Sequence, residues 1–172
     1  MNEPKYNAGF CFQIIAAGAA FCVARIGAGM MPDELFLRVF CKPAAAGAAL
    51  LCGAASNETL IVSNAGGVFE VVRSCGAADF FSMMGGALAW HAAGCRRRAD
   101  TAWRLALVFP AAFALTVVVN SARLAVVVAT HPIAVRFLPE RFGAAAHMVA
   151  GVLVFFPALL ATWYICDSRS KK

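Results

Sequence analysis

What constrains this chain most is a succession of apolar runs, most of them about as long as a bilayer is thick. A helix needs ~20 mostly apolar residues to cross ~30 Å of hydrocarbon. Such runs lie at 9–30, 76–94, 102–130 and 142–166, and a shorter one at 43–56, expected to extend at its front end, follows a stretch carrying Arg38 and Lys42. Soluble domains are about a quarter charged, whereas here 62% of residues are hydrophobic and 14% charged. The expected fold is therefore all-α and integral to a membrane. It is a single multi-pass domain over 1–172, with about five transmembrane helices in contact with the lipid bilayer. The net charge of +6 does not point to nucleic acid, because the basic residues stand in short runs beside apolar helices.

The breaks between runs set the topology. The first run has no basic segment before it and no small-residue cleavage site after it, so it reads as a retained helix. Pro32-Asp33-Glu34 ends it and suits the start of another helix. Pro43 is expected to start or kink the most apolar part of the second span. Between 59 and 73 the chain changes character. Thr59-Leu-Ile-Val62 and Val68-Phe-Glu-Val-Val72 are β-prone and flank the Gly-rich Ser63-Asn-Ala-Gly-Gly67, which predicts a β-hairpin. Open strands do not face lipid, so the hairpin belongs at a membrane surface. Arg96, Arg97, Arg98 and Arg104 mark the 95–104 loop as cytoplasmic. By parity the hairpin is extracytoplasmic, and five spans put the N-terminus outside.

The seven cysteines are an odd number, set mostly in apolar runs where a free thiol behaves as a small hydrophobe. No Cys-x-x-Cys pair and no zinc-ligand spacing is present, so neither metal nor cofactor is expected.

Cys75 stands apart, because it lies between the hairpin and the third apolar run. It precedes Cys95, at the basic border, by twenty positions. Arg123 follows Trp103 by twenty, and His147 precedes Asp167 by twenty. At ~1.5 Å per residue, each stands ~30 Å from the cytoplasmic face. Each has a plain explanation as well: a packed thiol, a snorkelling arginine, a satisfied core histidine. Their common depth favours a site. Asn120 and Arg123, three apart, share a helix face, and Gly143 and Gly151 leave room on the face of His147. With a helix expected to begin at Gly76, the thiol would sit at a helix N-terminus near a cation, the setting that favours a thiolate. Histidine suits proton transfer, and arginine suits holding a carbonyl or an oxyanion.

The blocks Glu70-Val-Val-Arg-Ser-Cys75-Gly, Asn120-x-x-Arg123 and His147-x-x-x-Gly151-x-x-x-Phe155 resemble those of the exosortase and archaeosortase family. The likeness covers about 43–156 and is nearest to the short exosortase K type. The resemblance implies a multi-pass cysteine peptidase or transpeptidase of the cytoplasmic (inner) membrane, with its site on the extracytoplasmic side. Its partners would be secreted proteins with a C-terminal motif, an apolar helix and a basic tail. The implied catalytic residues are Cys75, Arg123 and His147, with Asn120, Gly76 and Gly151 in support. Where the family usually has Cys-Ser-Gly, this chain reads Cys75-Gly-Ala.

Two other readings compete. One is a non-catalytic multi-pass protein, either a degenerate family member or a small transporter subunit. A transporter would be expected to show broken helices and ionisable groups near mid-membrane, whereas here the ionisable groups gather at one surface. A thiol oxidoreductase would want a second cysteine beside Cys75, and none is near in sequence.

Overall fold

A computed structural model describes residues 8–63, 67–94, 98–137 and 143–170. The chain is a mostly α-helical membrane protein. Four helical stretches have the length and apolarity to cross a bilayer: Ala8–Met30, Asp33–Cys52, Asp100–Ile133 and Met148–Ser168. The elements in order are α1 (Ala8–Met30), α2 (Asp33–Cys52), β1 (Ala55–Asn57), β2 (Leu60–Val62) and β3 (Val68–Glu70). A 3-10 turn (Arg73–Cys75), α3 (Ala78–Ala93), α4 (Arg98–Phe137) and α5 (Gly143–Ser170) follow. Asn64, Ala65 and Gly66 of the expected turn, and the border residues 95–97, lie outside the described residues.

The chain divides into two compact units, and α4 and α5 each contribute a part to both. In the first unit α1 and α3 run antiparallel. Gln13 donates to the Trp90 carbonyl at 3.4 Å near one end, and Arg25 pairs with Asp79 at 2.9 Å near the other. Between them Gly86 lies against the Ala17 carbonyl, so closely that a side chain there would start 3.3 Å from it. Small residues allow such approach, and packing rather than water exclusion drives helices together in lipid. Ala89, Ala92 and Val108 form one buried cluster of the unit.

The second unit holds α2, the sheet, the 3-10 turn, the later part of α4 and the early part of α5. Here the second span extends at its front end, as expected, and stops short at the other. The helix runs over Asp33–Cys52 rather than 43–56. Asp33 and Glu34 occupy its first turn behind Pro32, where carboxylates suit the positive end of the helix dipole. Pro43 opens its most apolar part, as expected. Proline lacks an N–H and crowds the carbonyl four residues back, and the wider π-helical turn Leu37–Cys41 precedes it, so that Pro43 falls in the first turn of the resumed α-helix. Gly53, left-handed at φ 61°, ends the helix. The next residues enter β1 instead.

The strands form an antiparallel sheet in the order β1-β2-β3. Ser56 and Phe69 lie on either side of Ile61 in the ladder, and Ile61 is buried while Leu60 and Val62 face outward. Two of the strands fall within the β-prone runs, whereas β1 uses residues with no strand propensity and had no signal in the sequence.

Candidate active site

Four of the six residues marked by the sequence converge within the second unit. The later part of α4 buries a polar stripe inside an apolar helix: Thr116 and Asn120, each 1% exposed, and Arg123, 9% exposed. Their spacing of four and three keeps them on one face. Asn120 makes the central contact. Its Nδ2 donates to the Cys75 carbonyl at 2.7 Å, and its Oδ1 accepts a long bond from Arg123 Nη1 at 3.5 Å. One amide thus joins the thiol-bearing turn to the arginine.

Helix α5 covers the arginine. The Arg123 guanidinium carbon lies 5.4 Å from the Phe155 ring centroid, and Gly151 packs so that a Cβ would stand 3.4 Å from Arg123 Nε. His147 lies in α5, one turn before Gly151; its side chain lies outside the described residues. Among the described residues, Arg123 Nε is buried with no hydrogen-bond partner, and the ion pairs found involve other cations. Burying a cation is costly unless it is paired and hydrogen-bonded. Arg123 therefore presents an unused, charged donor.

The sheet and the 3-10 turn set the position of Cys75. Val71 N–H bonds the Thr59 carbonyl at 2.9 Å, extending the sheet toward the turn. Cys75 N–H then bonds the Val72 carbonyl at 2.8 Å, and Gly76 N–H bonds the Arg73 carbonyl at 3.0 Å. Cys75 is half-buried.

One expectation needs correction. The third helix begins at Ala78, not at Gly76, so the thiol does not directly precede a helix N-terminus. Gly76 has an ordinary φ of −76°, but Ala77 takes φ 55°. A left-handed residue cannot join the first helical turn, and it delays the start of α3.

Three contacts around the turn had no signal in the sequence. Arg73, Phe36 and Cys41 all bear on it, and Cys41 Sγ donates to the Val72 carbonyl at 3.5 Å. Arg73 and its partner Asp33 are forty residues apart, a distance at which no periodicity links two side chains. Cys41, thirty-one residues before Val72, is likewise brought to the turn only by the fold.

No family model, no curated protein and no solved structure matches this chain.

Proposed function

We propose that the protein is a membrane-embedded cysteine peptidase or transpeptidase of exosortase type. Its substrates are secreted proteins ending in a short motif, an apolar helix and a basic tail, and it cleaves them at the outer face of the cytoplasmic membrane. The observation that carries this reading is Arg123 Nε: a buried guanidinium donor with no partner among the described residues, coupled through Asn120 to the residue bearing the thiol. A donor left unpaired beside a nucleophile is the arrangement that waits for a substrate oxygen.

In this reading the Cys75 thiol gives its proton to His147 and attacks the scissile carbonyl carbon. Charge builds on the carbonyl oxygen, and Arg123 stabilises it there. The C–N bond then breaks, the leaving amine takes the proton from His147, and an acyl group remains on Cys75. Water or an acceptor amine releases it, so hydrolysis and transfer share every step up to that point. No metal or redox group is required.

The left-handed residue of the turn supports the resemblance. The glycine of the family's Cys-Ser-Gly falls on Ala77, the position whose φ of 55° suits glycine best.

Co-expression with a secreted protein carrying such a tail tests the reading. Cys75→Ala and Cys75→Ser are expected to abolish processing while the chain still accumulates in the membrane, and a thioester at Cys75 is the species to trap. Processing by Cys75→Ala near the parent rate would overturn the enzyme reading in this form, with Cys75 as nucleophile.

A further inference from the structure

The turn that carries Cys75 rests on one aromatic ring of α2. Phe36 is 1% exposed, and its ring stacks on Phe40 with centroids 4.9 Å apart and planes at 22°. Those contacts leave it little rotamer freedom. The Arg73 guanidinium carbon stands 4.4 Å from the Phe36 centroid. Gly76 meets the same ring so closely that a side chain there would overlap its carbons. The residue two before Cys75 and the residue one after it therefore lie on a single buried ring. Gly76 is not needed for its torsion, since φ is −76°; it is needed for space.

Other bonds brace the same docking. Arg73 Nη1 donates to the Met31 carbonyl at 2.9 Å and to Asp33 at 2.6 Å. Asp33 is 80% exposed, and exposed ion pairs contribute little, so this pair orients the arginine more than it holds the turn. On the next turn of α2 the Cys41 thiol donates to the Val72 carbonyl, which also accepts Cys75 N–H.

We propose that Phe36 is a positioning residue for Cys75, gripped by Arg73 on one side of the thiol and by Gly76 on the other. It touches no substrate. It fixes the pitch of the 3-10 turn, and with it the direction in which the thiol leaves the backbone. This builds on the reading of Cys75 as nucleophile, because only a nucleophile needs its aim held so closely. A misplacement of ~1 Å can cost about a hundredfold in rate.

The decisive experiment is a double-variant cycle on the full chain in membranes. It has two readouts: alkylation of Cys75 by iodoacetamide, followed by peptide mass spectrometry, and kcat and KM for processing of a tailed substrate. Gly76→Ala forces the ring or the turn aside, and kcat is expected to fall about a hundredfold with KM nearly constant. Cys75 alkylation should shift in the same variant, and Phe36→Leu alone should lower kcat more mildly. The combination Gly76→Ala with Phe36→Leu should recover much of the loss, because the smaller side chain makes room for the methyl. A general packing defect would instead add. Unchanged alkylation and kcat in Gly76→Ala, or additive losses in the double variant, would overturn the proposal. If even the parent processes no substrate, the catalytic reading fails by itself, and the alkylation cycle still decides whether Phe36 sets the thiol.

Discussion

Arg123 is the residue on which a structural and a catalytic role diverge most clearly. A snorkelling arginine would reach a headgroup, and lysine would replace it well. Here the guanidinium is buried, bonded to Asn120, laid against Phe155, and left with an Nε donor that has no partner among the described residues. Lysine keeps the charge but loses the planar fork of donors. Arg123→Lys is therefore expected to insert normally yet process substrate at least about a hundredfold more slowly, the lower end of the loss seen when an oxyanion donor is removed. Turnover of the purified variant checks this, and a near-parent value would return the arginine to the membrane interface. Asn120→Ala removes the bridge to the Cys75 carbonyl, and should cost about 1–3 kcal/mol in stability by leaving that acceptor unpaired. Ala77 gives a test of opposite sign. A left-handed alanine costs about 1–2 kcal/mol, more than the roughly 0.5–1 kcal/mol that glycine loses in chain entropy. Ala77→Gly should raise the melting temperature in detergent and retain processing. The pairing of Asn120 with Arg123 was legible, because a spacing of three on an apolar helix is visible in the sequence. Phe36 was not, because an apolar residue in an apolar run carries no mark of the ring contact it will make with Arg73 and Gly76.

At the scale of elements, helix α2 shows what a sequence pattern reveals and what it leaves open. Pro32, Asp33 and Glu34 announced a helix start, and the helix begins at Asp33. Pro43 announced a boundary, and it lies in the first turn of the α-helix that resumes after a π-turn, whereas the apolar count alone overran the far end at Cys52. The turn also has a structural consequence: Phe36, Phe40 and Cys41, all buried, lie just before or within it. Further along, α2 meets α4 through small residues. Ala44, Ala45, Ala48 and Ala49 are buried, and a Cβ on Gly47 would overlap the side chain of Ser121, itself buried and bonded to the Val117 carbonyl. Gly47→Ala is expected to destabilise by about 1–3 kcal/mol, the usual cost of overfilling a packed interface. Ser121→Gly in the same chain should restore much of the loss. Equal melting temperatures for Gly47→Ala and the parent would mean that α2 and α4 do not approach this closely. The sheet gave a partial signal: the two runs rich in Val and Ile supply β2 and β3, whereas β1, made of Ala55, Ser56 and Asn57, is a strand only because β2 offers it a partner.

For the whole molecule the open quantity is the number of crossings, and α3 decides it. Its sixteen residues rise ~24 Å, less than the ~30 Å of an average hydrocarbon layer, and it is absent from the four helical stretches long enough to span. Against that, it is apolar, half of its residues are buried, and it runs antiparallel to the full-length α1 with matched contacts near both ends. A short helix can cross where flanking residues snorkel or the bilayer thins, at fractions of a kcal/mol per Å. The sequence adds the strongest constraint, because Arg96, Arg97 and Arg98 follow α3 directly while Asp79 stands at its start, and clustered arginines stay cytoplasmic. We therefore expect α3 to cross, giving five spans, an N-terminus outside and a C-terminus inside. With four spans both ends would share one side. Reporter fusions at each end, using an enzyme active only outside the cytoplasm and a fluorophore that matures only within it, separate the two. Opposite signals are the expected result, and an impermeant maleimide should then reach Cys75 in intact cells when the other cysteines are replaced. Matching signals at the two ends would make α3 a re-entrant helix. Labelling of Cys75 only after permeabilisation would turn the site toward the cytoplasm, where a protease of secreted tails has no substrate.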